Sequence, residues 1–252
     1  MLNKYPSLTS IYLRTFALYF KTFIDVLPFV LLLVIGRYGL ETLLPQESMS
    51  EGHFFLRILI DSAITALFFS FIIYLIYQKN NAQSPDFTDT LIEGLRRFPQ
   101  VLVAYLLISS PVFLALGLLK LTNVLWHPAA MTAKVIFLHK CISLTLMGMA
   151  LLITLILATY SFVAGVFIVI KRENALSGLK KSWDLVQDYW IDTFLLMILF
   201  GMMTVIVSML METFYPEIVS PTLTMLFSSF YPALMVIHFN QMKRNLDERT
   251  DV

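Results

Sequence analysis

Cysteine, glycine and charged residues are all scarce in this chain of 252 residues. The single cysteine, Cys141, excludes an intramolecular disulfide and a cysteine-based metal knuckle, and its apolar neighbours predict a small buried side chain. Hydrophobic residues make up 58% of the chain and charged residues 14%, whereas soluble domains have roughly 45–50% and about 25%. This shortage of charge predicts a protein that lies in a lipid bilayer.

The motifs of common enzyme classes are absent as well. The 9 glycines form neither a Walker nor a Rossmann phosphate-binding pattern, and no serine stands in a nucleophile elbow. The 4 histidines, at positions 53, 127, 139 and 238, lack the spacings of zinc sites. We therefore expect no catalytic residue, no metal site, no cofactor and no enzyme activity. The net charge of +1 gives no support for nucleic-acid binding.

Six apolar stretches are long enough to form transmembrane helices, since about 20 apolar residues cross a hydrocarbon core of roughly 30 Å. They are residues 24–44, 55–77, 100–121, 141–170, 191–211 and 222–240. The fourth is the longest, and we expect it to tilt or to project beyond the lipid. Pro28, Pro111 and Pro232 lie inside three of the spans, where we expect kinks and not breaks.

The distribution of positive charge predicts the orientation of these spans. Thirteen of the 18 Lys and Arg residues fall in alternate flanks, at residues 4–21, 79–97, 171–181 and 243–249. Cytoplasmic flanks of membrane helices carry an excess of Lys and Arg. Both chain termini are therefore predicted to be cytoplasmic, in a multi-pass protein of the bacterial inner membrane.

Amphipathic segments lead into the first, third and fifth spans. They cover residues 8–23, 84–98 and 175–190. In the second segment Ser84 is a predicted N-cap, Pro85 suits the first helical position, and Glu93 precedes Arg97 in the favourable i,i+4 order. Each segment places apolar side chains opposite polar and basic ones. This pattern predicts three interfacial helices on the cytoplasmic membrane surface.

The three segments also resemble one another. The motifs Leu13-Arg14, Leu95-Arg96-Arg97 and Leu179-Lys180-Lys181 are separated by 82 and 84 residues, and Gly94 and Gly178 precede the last two. We interpret the chain as a single membrane domain, residues 1–252, with an imperfect threefold repeat. Its units are about 7–78, 84–170 and 172–240. The alternative is that any helix entering a membrane has an amphipathic lead-in.

Asp61 is the main candidate for an intramembrane site, because a charge in hydrocarbon is costly unless it is paired. Arg57 lies four residues earlier on the same helical face and is the first predicted partner, and Arg37 is a second. One interpretation is an ion, proton or headgroup site near the outer leaflet. The favoured alternative is a structural ion pair that holds the first two spans together.

The basic residues of the interfacial segments are candidates for binding anionic phospholipid. They are Arg96, Arg97, Lys180 and Lys181. The alternative is that they only enforce topology. Trp126, Trp183 and Trp190 fall near predicted membrane interfaces, where tryptophan is an ordinary anchor and requires no ligand.

Three motifs carry a resemblance to a known family: ALSGLKKSWDL at 175–185, LIEGLRRFP at 91–99, and the basic tail that begins at Gln241. The chain resembles the YciC-type family of uncharacterised bacterial inner-membrane proteins. It is also similar to the membrane domain attached to some glycerophosphodiester phosphodiesterases, but it lacks their soluble catalytic domain, so their chemistry does not transfer. The resemblance implies an inner-membrane location and a role in membrane or envelope homeostasis, and it supplies no catalytic residues.

Three functional hypotheses follow. The first is a non-enzymatic, lipid-associated membrane protein with phospholipids as its partners. The second is a transporter or channel for a small solute, although such proteins usually have polar midplane residues and discontinuous helices. The third is a scaffold subunit with a membrane-protein partner.

Overall fold

The computed structural model describes residues 7–44, 51–83, 86–125, 133–214 and 219–250. Within these ranges the chain forms helices and no strand, which confirms the all-α prediction. The helices are α1 (Leu8–Leu43), α2 (Glu51–Asn80), α3 (Phe87–Leu125), α4 (Ala133–Tyr160), α5 (Ala164–Val169), α6 (Ala175–Val186), α7 (Trp190–Phe214) and α8 (Val219–Thr250), with a short 3-10 helix (Gln187–Tyr189) between α6 and α7.

Five helical segments of the described ranges are long and apolar enough to cross a membrane. They are Leu8–Leu43, Phe55–Asn80, Phe87–Leu119, His139–Tyr160 and Ala175–Met211. These segments are consistent with a multi-pass membrane protein. The sixth predicted span, 222–240, lies within α8, which is not among the five.

The fourth predicted span, 141–170, is not a single helix. α4 ends at Tyr160, a turn follows, and the chain continues as α5. The break lets α5 enter the core, where the side chains of Val166 and Ile168 are fully buried. The packing at Gly165 is close, because a Cβ atom at that position would lie 2.7 Å from Cδ1 of Ile73. The length of this apolar stretch therefore reflects a buried segment after the span, and not a projecting helix.

Two of the three predicted interfacial segments are continuous with the helices that follow them. α1 has 36 residues and α3 has 39, so each is far longer than the roughly 20 residues that a bilayer requires. Before α7 the segment is a separate helix, α6, whose N-cap Asn174 accepts a hydrogen bond of 2.8 Å from the amide of Ser177. Ser84 and Pro85 lie outside the described residues.

The packed core lies toward one end of the bundle, where α2, α5 and α8 meet. Ile72, Ile76, Val166 and Leu234 are among its fully buried members. α4 and α7 are peripheral: only 6% of the most apolar stretch of His139–Tyr160 and of Ala175–Met211 is buried. Their exposed apolar side chains form the kind of surface that lipid covers.

Cys141 lies on this peripheral helix α4 and is exposed. The prediction of a buried cysteine is therefore wrong. Its apolar neighbours belong to a surface suited to lipid and not to a protein interior.

The two glycines of the repeat motifs have similar surroundings. A Cβ atom on Gly94 would lie 1.9 Å from Cδ1 of Phe71, and one on Gly178 would lie 2.5 Å from Cγ1 of Ile168. In both cases the absent side chain lets an amphipathic segment pack closely against the helix before it.

Candidate functional site

A polar chamber of about 580 Å³ lies between α1, α2, α3 and α4. Its charged lining residues are Arg37 and Glu41 from α1 and Arg57 and Asp61 from α2. Hydroxyl groups from α2, α3 and α4 complete the polar part of the wall, namely those of Ser62, Tyr105, Ser109 and Thr154. The volume is in the ordinary range of ligand pockets, roughly 300–1,000 Å³.

Arg37 contacts two polar side chains of α2 at the wall of this chamber. Its Nε atom lies 3.1 Å from Oδ1 of Asp61, and its Nη2 atom donates to Oγ1 of Thr65 at 2.9 Å. The side chains of Arg37 and Asp61 are 38% and 43% exposed, so the pair is accessible from the chamber. The ion pair predicted to hold the first two spans together is present, and it also lines a cavity.

Arg57 was the first predicted partner of Asp61, and that assignment is wrong. Its Nη1 atom instead donates to the backbone oxygen of Leu44, at 2.7 Å. The last carbonyl groups of a helix lack intrahelical donors, and Leu44 follows the end of α1. Satisfying this carbonyl draws the Arg57 side chain away from the carboxylate one turn below it.

The charges of the described lining balance, with two guanidinium groups and two carboxylates. Such a wall offers donors to an anion and acceptors to a cation, and hydroxyl groups that serve either. The hydroxyl oxygen of Thr154 is buried and makes no hydrogen bond with any residue in the described part of the chain. A polar ligand with both donors and acceptors would satisfy this lining.

A second, apolar chamber of about 320 Å³ lies beside the first. Its walls come from α2, α3, α5 and α8, from the end of α4 and from the turn that follows α4, and they include Phe69, Val101, Ile108, Phe162 and Met235. Tyr105 lines both chambers. Thr65 also lines the apolar chamber while its hydroxyl accepts the bond from Arg37. A charged cavity and a hydrocarbon-lined cavity are therefore adjacent.

The basic residues predicted to bind anionic lipid differ in their availability. Arg97 lies 4.0 Å from Glu93, as the i,i+4 pattern predicts, and it donates to the backbone oxygen of Arg172. Arg172 in turn pairs with Glu93 at 2.7 Å. Arg96 is exposed and is better placed to meet a membrane surface.

In α6 as well, one basic residue is engaged within the protein and the other is exposed. Lys181 forms an ion pair with Glu173, whose pKa is held below its ordinary value by the Lys181 ammonium and then by the Ser177 hydroxyl. Lys180 is exposed. One residue of each basic pair is therefore engaged within the protein.

The predicted tryptophan anchors have protein contacts of their own. Trp183 is half exposed and stacks on Tyr160, with ring centroids 3.9 Å apart and planes 11° apart. Trp190 stacks on Phe194 at 5.3 Å. Trp126 lies outside the described residues.

Several residues of the two chambers escaped prediction, above all Thr65, Tyr105, Ser109 and Thr154. A signal for the first three of them exists in the sequence. Asp61 and Thr65 are four residues apart, as are Tyr105 and Ser109, so each pair lies on one face of a helix. Polar pairs at this spacing inside apolar helices mark the faces that line a cavity.

Residues 62–239 match the family described as "Domain of unknown function (DUF7847)". The chain belongs to this family. The matched region contains Thr65, Tyr105 and the apolar chamber, whereas Arg37 and Asp61 precede it. No curated protein and no solved structure matches the chain. The match does not support a relationship to the YciC-type family or to glycerophosphodiester phosphodiesterases.

Proposed function

We propose that the protein is a non-enzymatic, multi-pass protein of the bacterial inner membrane that binds a lipid-like amphiphile and contributes to membrane homeostasis. The observation that carries this proposal is the adjacency of the polar and apolar chambers, which share Tyr105. An amphiphile is the class of ligand that presents both kinds of surface at once.

The polar chamber suits the headgroup of such a ligand. Arg57 and Arg37 provide donors for a phosphate or carboxylate, while Asp61 and Glu41 provide acceptors for an amine or hydroxyl group. Because the formal charges of the four balance, a zwitterionic or hydroxyl-rich headgroup is favoured over a simple anion.

The apolar chamber suits part of an acyl chain. Burying one CH₂ group contributes about 0.8 kcal/mol, so even a few carbons in this chamber would give measurable retention. Its volume is smaller than that of the polar chamber. We expect it to hold one end or one bend of a chain whose remainder lies in the bilayer.

The remaining parts of the proposal rest on sequence patterns. They comprise six spans, three cytoplasmic interfacial segments that also contact anionic phospholipid, cytoplasmic termini, and a role like that proposed for YciC-type proteins. The excess of Lys and Arg in alternate flanks and the five long apolar helices support a multi-pass topology.

Native mass spectrometry of the purified protein tests the proposal. Ala104 lines the apolar chamber and is buried, so Ala104→Phe would fill it. Leu144→Phe is the matched control, because Leu144 is 77% exposed on α4. We expect a lipid bound to the wild type and to Leu144→Phe, and its loss in Ala104→Phe. Absence of retained lipid in the wild type, or equal retention by all three, would contradict the proposal.

Transport of a small solute is the second candidate, and the charged wall of the polar chamber favours it. Intramembrane charges that face a cavity often mark a pathway. Flux into proteoliposomes that is abolished in Asp61→Asn would establish transport. Lipid retention without flux would leave binding as the function.

A further inference from the structure

A basic groove of about 720 Å³ lies between the first half of α1, the end of α2 and the second half of α8. Arg14 and Lys21 line it from α1, and Lys243 and Arg244 line it from α8. Asp247 is the one carboxylate among the described residues that line it. The described lining therefore has a formal charge of +3. This groove is remote in sequence from the residues of the polar chamber, and it uses the opposite end of α1.

The convergence of these four cations requires a physical explanation. Topology requires Lys and Arg on a cytoplasmic flank, but it does not require them to face one another across a concave surface. Like charges that converge repel, and the repulsion destabilises the groove unless an anion offsets it. The neighbouring Lys79 adds little to this repulsion, because Asp25 pairs with it at 3.0 Å.

The described residues supply little internal compensation for the four. No ion pair joins any of them to another residue in the described ranges, although carboxylates elsewhere on the cytoplasmic side are paired with Lys79, Lys181 and Arg172. All four side chains are exposed. The cations of the groove are therefore available to an external anion.

The rest of the lining is suited to a compound that is polar as well as anionic. Asn80 and Asn81 lie where α2 ends, and Asn240 and Gln241 lie on α8. Their amide groups donate to phosphate oxygens and exchange hydrogen bonds with hydroxyl groups. The buried side chains of Leu18 and Ile237 form an apolar floor.

We propose that this groove binds a phosphate group, carried either by a phospholipid headgroup in the adjacent leaflet or by a soluble phosphorylated compound. Guanidinium groups bind phosphate oxygens through paired charge-assisted hydrogen bonds, and ammonium groups add compact positive charge with three hydrogen-bond donors. The proposal rests on residues that the amphiphile site does not use. A negative result for the groove therefore leaves the proposal of the amphiphile site unaffected, and the reverse also holds.

The test uses the full chain in nanodiscs and compares two charge-matched double variants. Lys243→Gln/Arg244→Gln removes two cations from the groove, and Lys140→Gln/Lys171→Gln removes two exposed cations that lie outside both the groove and the interfacial segments. The probes are inorganic phosphate and glycerol 3-phosphate in phosphatidylcholine discs, and phosphatidylglycerol as a disc component. We expect the groove variant to weaken binding at least tenfold and the control to change it less than twofold.

The probes distinguish the two sources of phosphate. Stabilisation by phosphatidylglycerol alone assigns the groove to a lipid headgroup, and saturable binding of glycerol 3-phosphate in neutral discs assigns it to a soluble compound. Equal losses in both variants, or no binding of any probe by the wild type, would overturn the proposal.

Amine labelling of the wild type makes the test independent of variant folding. A bound phosphate group should protect Lys21 and Lys243 from an amine-reactive reagent, and should leave the exposed Lys171 reactive. The protection should disappear as salt is raised, because screening shortens the range of these interactions. Equal labelling of all three lysines with and without each probe would also overturn the proposal.

Discussion

Nε of Arg37 lies 3.1 Å from Oδ1 of Asp61, so one ion pair joins α1 to α2 at the wall of the polar chamber. The same arginine reaches Thr65 one turn further along α2. A pair in this position has two roles that can be separated. It holds two helices together, and it presents charge to a cavity.

We predict a double-mutant cycle in which the single variants Arg37→Leu and Asp61→Leu each lower the free energy of unfolding by about 1–3 kcal/mol. Each leaves the other charge without its partner. The double variant should cost less than either single one, because replacing both charges by apolar side chains removes the uncompensated charge. Unfolding in detergent, followed by circular dichroism, measures these energies.

The double variant also separates the structural role from the binding role. If the chamber binds a headgroup, Arg37→Leu/Asp61→Leu should be folded and yet retain no lipid. Additive losses of stability would show that the two residues do not interact. A stable double variant with full lipid retention would remove the pair from the site.

Gly94 gives a prediction about packing. Gly94→Ala should lower the free energy of unfolding by about 1–3 kcal/mol, because a Cβ atom there would lie 1.9 Å from the ring of Phe71. Gly117→Ala is the control, since a Cβ atom there would have no neighbour within 4 Å and alanine favours the helix. Thermal unfolding in detergent compares the two. Phe71→Leu should restore part of the loss, and its failure to do so would show that the contact is not the cause.

Periodicity in the sequence shows which segments form helices, but it does not show which of their apolar side chains are buried in the protein. The apolar runs predict helices and their amphipathic lead-ins, since both depend on local spacing along one chain segment. The run 141–170 does not reveal the turn at 161–163, because buried and lipid-facing residues have the same apolar character. The prediction that Cys141 is buried is wrong for the same reason.

The site was predicted in part for a related reason. Asp61 and Arg37 stand out as charges in apolar stretches, and the structure joins them. Thr154 does not stand out, because its place in the chamber depends on how α4 packs against α3. The threefold repeat stays a prediction. A repeat requires equivalent positions of its second and third units to have similar environments, as Gly94 and Gly178 do.

Ser182 gives a prediction about the attachment of α6. Its buried hydroxyl donates to the backbone oxygen of Tyr160, at 2.8 Å, where α4 ends. Ser182→Ala leaves that carbonyl without this donor and should lower the free energy of unfolding by about 1 kcal/mol. Hydrogen exchange should accelerate across residues 161–186 while α2 is unaffected. Leu176→Ala, at a position of the same helix that is 69% exposed, is the control, and equal acceleration in both variants would contradict the assignment.

Glu173 gives a prediction about the pH dependence of the N-terminal end of α6. The Lys181 ammonium and the Ser177 hydroxyl lower the pKa of this carboxyl below its ordinary 4.5. A carboxyl whose folded-state pKa is lowered stabilises the fold above its unfolded-state pKa, and it loses that contribution as the pH falls through the folded-state value.

We therefore expect the amides of residues 171–186 to lose protection from hydrogen exchange only below about pH 4.5. Because the pair is at the surface, the loss should be local, and high salt should weaken the pair at neutral pH as well. Glu173→Gln should remove this pH dependence while Asp184→Asn, a neighbouring carboxyl on α6, should retain it. An unchanged acid transition in Glu173→Gln would assign the transition to another carboxyl group.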